Sequence, residues 1–478
     1  MTQPDWLARL ALELHAELIE TPISWVLLGP EQAWKFKKPV KLPFLDYSTP
    51  ALRLACCNAE LALNQRFSSD LYLGVDYPLG APEPAVVMRR FPAAAQLDQA
   101  CARGTLTPDA LGGLVRHIHA CHQAAGGTPP SSEFGHPDQI LSLALDNFAP
   151  LRTPTLGLPP EPRHALDALE AWTRSTHTRL RPCLETRWQD GHIRECHGDL
   201  HLGNLILENG EIRPFDCIEF NPGLRWIDTA SELAFTWMDL LDHQAGGLGG
   251  WLLNEWLEHS GDFAALPLLR FYGVYKALVR AKVAALGQDR DRAARYLALA
   301  GQIAWPAAPT LCITHGLSGS GKSTRARAWV LADPAGSTLR LRSDVERKRL
   351  FGLGALEPSR PEGMPAEAGA SIYTREAGVR TYGRLAELAR QMLAEGWSVV
   401  VDAAFLKAAE RQQFADLARS AGANFRIMAC TAPEAELARR LEARQNDPSE
   451  ATPAIMRQQH AWLEPLDVQE QAYCVAPG

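Results

Sequence analysis

The chain has 478 residues, of which 46% are hydrophobic and 22% charged, with a formal net charge of -7. That length exceeds one ordinary core, and the composition excludes disordered, collagenous and disulfide-framework classes, so two or three globular domains are expected. Residues 1–309 carry 27 Lys and Arg against 35 Asp and Glu, a balance of -8, and residues 310–478 carry 21 against 20, a balance of +1. Neither half has the basic excess of a nucleic-acid binder, although a local basic groove is not excluded.

The first twenty residues, MTQPDWLARLALELHAELIE, read as an amphipathic acidic helix without the basic start and apolar run of a signal peptide. ISWVLLG and AWKFKKPVKL flank the turn Gly29–Pro30–Glu31–Gln32 and read as a hairpin. TPALRLACCNAELALNQRF has helical spacing behind a Thr-Pro start, and AVVMRRFP is a short buried strand. Helical patterns then dominate to about residue 300, broken by the Pro-rich loop at 150–162. On a helix the histidines and cysteine of RHIHACH (116–122) fall on two faces, so that cluster reads as packing. The ten cysteines have no CxxC spacing, as expected for reduced thiols. No run approaches the ~18 apolar residues that cross a bilayer. A cytoplasmic chain without a membrane partner is expected.

The densest chemistry in this half is HGDLHLGNLILENGEIRPFD, residues 197–216. Asp199 and Asn204 are five apart, and Asp216 lies twelve further on. A kinase-type phosphotransferase needs an Asp to orient and deprotonate the acceptor hydroxyl, and an Asn and a second Asp to hold Mg²⁺. His197 would support the loop. A metal hydrolase is the alternative, since His197, Asp199 and His201 are good ligands, but it needs a further partner that the sequence does not nominate. A kinase also needs a strand Lys paired to a helical Glu. Lys35 and Glu60 fit, but Lys37 shares the face of Lys35, so the choice between the lysines is open. Gly29 is alone in its turn, so a Gly-rich flap is absent; VVMRR would lie beside adenine.

IAWPAAP (303–309) reads as a linker, and beyond it strands alternate with helices, the pattern of a parallel α/β sheet. TLCITHG is an apolar strand and STRARAWVL a helix. Between them Gly316, Leu317, Ser318, Gly319, Ser320, Gly321, Lys322, Ser323 and Thr324 match the phosphate-loop pattern. Glycines there let backbone N–H groups close around phosphate, Lys322 reaches the β- and γ-phosphates, and Ser323 binds Mg²⁺. Asp344 is read at the end of a strand as an acceptor base or a helix cap. Asp402 closes SVVVD, where it would hold Mg²⁺ through water, orient an acceptor, or cap a helix. Arg440 and Arg444, four apart, are read as one helix face offering charge to a transferring phosphoryl group, followed by a lid-like QNDPSEATPAIMRQQ.

The C-terminal pattern resembles P-loop kinases of the polynucleotide kinase and zeta-toxin kind, grouped as AAA_33, which implies that Asp344 is the acceptor base and Arg444 a phosphate neutraliser. HGDLHLGN resembles the aminoglycoside phosphotransferase (choline kinase-like) family, which implies Asp199 as catalytic base and Asn204 and Asp216 as metal ligands. The sequence departs from that family after Asp216, where Glu219 would take up the acidic role, and Asp228 and Glu232 would hold the loop. The order resembles bacterial bifunctional proteins joining the two. The expectation is a two-lobed kinase-like domain at 1–302 (N-lobe 1–90, helical C-lobe 91–302), a linker at 303–309 and a P-loop α/β domain at 310–478. Both would use ATP and Mg²⁺ to phosphorylate hydroxyls of small molecules. The alternatives are one domain as a nucleotide-driven regulator, or a polynucleotide 5′-end kinase in the C-terminal half.

Overall fold

The computed structural model describes residues 3–42, 45–153, 160–359, 372–445 and 447–475. They form two compact units, Met1–His243 with Leu268–Ala304, and Gln244–Pro267 with Trp305–Gly478. Among the described residues no helix is long and apolar enough to cross a membrane.

The first unit begins with a five-stranded antiparallel sheet. Strands Glu17–Glu20, Ser24–Leu28, Gln32–Lys37, Ala85–Arg89 and Tyr72–Asp76 lie side by side in that order, all antiparallel. The N-terminal helix is shorter than its sequence pattern, ending at Glu13. His15 adopts φ 48°, and Glu17–Glu20 turns into the edge strand, pairing Ile19 with Val26. Acidic residues on both sides of Leu-Ile mimic helical spacing, but an open sheet edge offers those backbone groups partners. Alternation along Gln32–Lys37 sends Trp34 and Phe36 into a core with Leu7, Leu10, Trp25 and Leu27. It sends Ala33, Lys35 and Lys37 to the opposite face, over helix Pro50–Ser68. Thr49 starts that helix by accepting from the Leu52 N–H at 3.3 Å, with Pro50 behind it.

The larger lobe is mostly helical. Strands Leu205–Glu208 and Glu211–Pro214 form a hairpin across Asn209 (φ 53°) and Gly210 (φ 83°), the two left-handed positions that a tight hairpin turn requires. Strand Ile193–Glu195 pairs with Trp226–Asp228. Helix Thr229–Asp242 follows, capped by the Asp228 carboxylate on the Ala230 N–H at 2.9 Å.

The second unit is a P-loop fold with a parallel sheet ordered Thr338–Arg342, Ser398–Asp402, Thr310–His315, Asn424–Ala429. It also takes in Gln244–Pro267, which the sequence division at 302 left in the first domain. Side-chain and backbone packing explains the transfer. Helix Gly246–Ser260 presents glycines: a Cβ on Gly247 would stand 1.9 Å from the Leu331 carbonyl, and one on Gly246 2.0 Å from that of Pro334. Asn254 donates to the Thr338 carbonyl at 3.1 Å and accepts from the Arg340 N–H, satisfying the edge strand where no neighbouring strand does. Glu258 pairs with Arg340 (3.3 Å) and Arg342 (3.1 Å), and Trp251 lies 4.8 and 5.0 Å from the guanidinium groups of Arg327 and Arg340.

Candidate functional sites

In the first unit the two lysines share one carboxylate. Lys35 Nζ lies 2.9 Å from Glu60 Oε1 and also pairs with Asp216. Lys37 pairs with the other oxygen of Glu60 and with Glu219, which Tyr47 also meets through its hydroxyl. The alternatives therefore separate by position. The Lys35 side chain is 13% exposed and reaches Asp216; that of Lys37 is 1% exposed and walled in by Glu60 and Glu219. Burial opposes the charge on both lysines, but the carboxylates win and raise both above the ordinary value. Glu219, expected to take up the acidic role after Asp216, has its carboxylate engaged by Lys37 and Tyr47.

Asp216 stands at φ 63°, strained for a non-glycine residue, and its surroundings fix it there. Its N–H donates to the Tyr72 hydroxyl at 2.9 Å, the next N–H to Asn64 Oδ1 at 2.9 Å, and the Phe215 carbonyl meets His197 Nε2 at 2.8 Å. His197 thus ties the loop together, its Nδ1 accepting from the Asp199 N–H at 3.4 Å. Asn204 Nδ2 donates to the Asp199 carbonyl at 3.0 Å and to its carboxylate at 3.1 Å. His201 Nε2 lies 3.4 Å from the same carboxylate, whose side chain keeps 36% exposure. Burial would raise the Asp199 pKa; His201, then Arg280, outweigh it and hold the group below the usual carboxylate range. The Asp199 carboxylate is thus held ionised and keeps access to solvent. Asn204 and Asp216 flank it, with oxygen atoms suited to a hard divalent cation.

Helix Thr229–Asp242 holds this loop with three polar side chains on one face. Glu232 accepts from the His197 N–H (2.7 Å) and the Gly198 N–H (3.0 Å), Thr236 donates to the Leu200 carbonyl (2.7 Å), and Asp239 accepts from the Leu202 N–H (2.8 Å). Asp228 instead takes the buried Arg187 in a two-pronged pair at 2.7 and 2.8 Å. Thr236 and Asp239 were missed in the sequence; their signal was polar residues at a helical interval inside SELAFTWMDLLD. His117 and Cys121 of the discounted cluster make ordinary contacts, with the carbonyls of Phe67 and Arg66 at 2.8 and 3.4 Å.

In the second unit, Gly316 (φ 143°), Gly319 (φ 84°) and Gly321 (φ 90°) curl the loop. Added Cβ atoms would meet the Cys430 carbonyl at 2.1 Å from Gly316 and the Leu437 carbonyl at 2.8 Å from Gly319, so only glycine fits. Helix Lys322–Leu331 starts directly after, carrying Ser323 and Thr324 in its first turn, and Leu317 anchors the loop among Leu406, Leu437, Leu441 and Met456. Lys322 folds back onto the Leu317 carbonyl at 2.7 Å. Burial pulls its ammonium below the ordinary value against the attraction of Asp402 and Asp344, and Arg444 adds to the lowering. Three buried polar atoms here have no hydrogen-bond partner: Ser320 Oγ, Asp402 Oδ2 and Arg444 Nη1. Asp402 Oδ2 has only Arg342 Nε at 3.9 Å, and such groups suit phosphate oxygens and a divalent cation. Ser318 N–H donates to Gln459 at 2.8 Å.

Three placements differ from the sequence reading. Asp344 belongs to the first turn of helix Ser343–Leu350 rather than to a strand end, and Arg347 binds it at 3.2 Å. The strand stops at Arg342, where the sheet edge ends and the helical SDVERKRL takes over. Arg440 and Arg444 do not share a helix, which closes at Glu442; Arg440 reaches the Gly319 carbonyl at 3.3 Å, while Arg444 follows the helix and approaches Lys322. The expected lid contains the helix Pro453–His460, capped by Thr452 and packed through Met456; residue 446 lies outside the described residues.

Residues 311–466 match a family model described as an AAA domain. Uncharacterized protein Rv2004c of Mycobacterium tuberculosis is 31% identical over 465 residues, 93% of this chain and 89% of that protein. The chain belongs to the family of that protein. Uncharacterized protein Mb2027c of Mycobacterium bovis matches with the same figures. Solved structures similar to it include a choline kinase from Cryptosporidium parvum Iowa II (10% identity, 60% of this chain, 86% of that one, TM-score 0.39). Others are a glucosamine kinase (16%, 59% and 76%, TM-score 0.38) and a gluconokinase from Sinorhizobium meliloti 1021 (22%, 35% and 81%, TM-score 0.24). With a kinase-type loop in one unit and a phosphate loop in the other, the chain is an enzyme of the phosphotransferase type.

Proposed function

We propose that both units transfer the γ-phosphate of ATP to hydroxyl groups of small molecules. The observation that carries this reading is the convergence of Lys35, Glu60, Asp199, Asn204 and Asp216, drawn from four separate stretches of chain. In the first unit, Lys35 steadied by Glu60 receives phosphate oxygens, and Asp199 accepts the proton of the attacking hydroxyl. In the second, the loop Gly316–Thr324 with Lys322 cradles phosphates, Arg440 and Arg444 offset developing charge, and Asp344 orients the acceptor. Mg²⁺, when bound, neutralises phosphate charge; Asn204 and Asp216 would hold it in one unit, Ser323 and Asp402 in the other.

The test is turnover of γ-labelled ATP with a metabolite extract, comparing wild type, Asp199→Ala and Lys322→Ala. Two labelled products, each lost in one variant, are expected. A single product, with ATP only hydrolysed or held by the other unit, would instead make that unit a nucleotide-driven regulator.

A further inference from the structure

Helix Leu266–Leu286 buries Phe271, Tyr272, Val274, Ala277 and Leu278 in the first unit, and among them stands Lys276, itself only 5% exposed. Its ammonium sits 4.8 Å from the Phe235 ring centroid and 5.4 Å from that of Tyr275, and it donates to the Gly198 carbonyl at 3.4 Å. Among the described residues it forms no salt bridge with a carboxylate. Burial pulls its pKa below the ordinary value, against the attraction of Asp199 and Glu232. A buried cation loses its water, and a carboxylate in contact is what usually makes up the loss. Two ring faces and one long hydrogen bond make up less. For stability alone, an apolar side chain of similar length would serve better at this position.

The ammonium touches the peptide that leads into Asp199. Gly198 adopts φ 88°, and a Cβ there would stand 2.8 Å from the Leu224 carbonyl, so only glycine fits. The Gly198 N–H donates to Glu232 at 3.0 Å and the Asp199 N–H to His197 Nδ1 at 3.4 Å; the carbonyl between them meets Lys276, which lies 78 residues further along the chain. The peptide plane includes the Asp199 Cα, so turning that plane re-aims the carboxylate. The Phe235 ring under the ammonium also lies against His201, with ring centroids 5.6 Å apart, and His201 Nε2 is 3.4 Å from the Asp199 carboxylate. Lys276 therefore meets the backbone of the base directly, and its histidine neighbour through one shared ring.

We propose that Lys276 is a positioning residue of the first unit, which fixes the peptide between Gly198 and Asp199, and with it the aim of the Asp199 carboxylate, at a cost to the stability of the fold. This rests on the kinase reading above. Lys276 touches neither nucleotide nor acceptor in this role and carries no proton; it acts through the backbone of the base.

The experiment uses the full chain carrying Lys322→Ala as parent, so that label transfer from γ-labelled ATP into a metabolite extract reports the first unit alone. Added to that parent, Lys276→Met should fold with a Tm equal to or above the parent's. It should bind a non-hydrolysable ATP analogue with Mg²⁺ as tightly by calorimetry and keep the KM for ATP, while the transfer rate at saturating ATP falls about 10- to 100-fold, the size of a small misplacement of a reacting group. Lys276→Arg, which keeps a cation and its donors, should recover most of the rate, and Lys282→Gln on the same helix should change nothing. Undiminished transfer in Lys276→Met overturns the proposal, and so does a loss that Lys276→Arg fails to restore. A Tm well below the parent's, or failure of Lys276→Met to fold, also overturns it, because the cation then serves the fold. If the parent yields no labelled product, the kinase reading fails for the acceptors in that extract. Hydrogen exchange then decides the role of Lys276 separately: faster exchange of the amides from Gly198 to Asn204 in Lys276→Met, with the rest of the unit unchanged, upholds it, and unchanged exchange rejects it.

Discussion

The two candidate sites, both proposed here to hold phosphate, meet the same electrostatic problem in opposite ways. In the first unit nearly every charge is already matched: Lys35 with Glu60 and Asp216, Lys37 with Glu60 and Glu219. In the second, a backbone cradle leaves Ser320 Oγ, Asp402 Oδ2 and Arg444 Nη1 without hydrogen-bond partners. A nucleotide entering the first site must exchange partners with an internal ion network; one entering the second completes a set of groups held ready by glycine geometry. Long-range ion pairs can be assembled only from distant chain segments, whereas a phosphate loop is a local backbone shape, which is why the two look so different.

The strongest test of this contrast is chemical. Asp199→Asn keeps the hydrogen bonds around the loop but removes the base, and should lower the first unit's acceptor phosphorylation about 10²- to 10⁴-fold while leaving the second unit's product untouched, read by label transfer. A loss of both products would break the separation of the sites. Next in size is the division between the lysines. Lys37→Met leaves Glu219 buried without its cation and takes one of the two lysines from Glu60, and should cost the first unit about 3–5 kcal/mol in denaturant unfolding. Lys35→Met should cost less stability and act mainly by raising the KM for ATP. If the two variants exchange these phenotypes, Lys37 is the phosphate lysine.

A smaller effect sharpens the account of the loop. Glu232→Gln weakens acceptance from two backbone N–H groups and should cost about 1–3 kcal/mol. It should also flatten the acid limb of stability. Burial favours the protonated form of Glu232, but His122 and then His197 hold its pKa below the ordinary value. A depressed carboxylate contributes stability that is present above its unfolded pKa of about 4.3 and lost as pH falls through the folded value. Wild type should therefore lose stability below about pH 4 more steeply than the variant. The smallest pair of effects compares glycines. Gly247→Ala forces a methyl against the Leu331 carbonyl and should destabilise the second unit by about 1–3 kcal/mol. Gly113→Ala, in helix Pro108–Ala124 with nothing within 4 Å of the added carbon, should stabilise the first unit by about 0.5–1 kcal/mol. Thermal unfolding reads both.

Much of the candidate chemistry was legible because it is local. The spacing from Asp199 to Asn204 and the run Gly316–Thr324 each describe one short loop, and the strands on either side carry their own apolar patterns. Boundaries were harder. ELIE fits a helix by spacing and a strand by its place at the sheet edge, and RSD reads as a strand end until Arg342 meets the start of the next helix. The same ambiguity put Arg440 and Arg444 on one helix, when only the fold shows the helix closing between them.

By itself, the sequence determined the order of the two architectures, the two loops proposed here to meet phosphate and acceptor, and the carboxylate at the end of SVVVD, because each is set by backbone conformation within a few residues. Tertiary structure alone decided which lysine reaches Asp216, that Glu219 serves Lys37, and that Gly246–Ser260 completes the edge of the second unit's sheet. It also placed Lys276 against the Gly198 carbonyl, next to Asp199. Those outcomes depend on which distant side chains are buried together, and burial is what turns an ordinary surface charge into one that must find its partner.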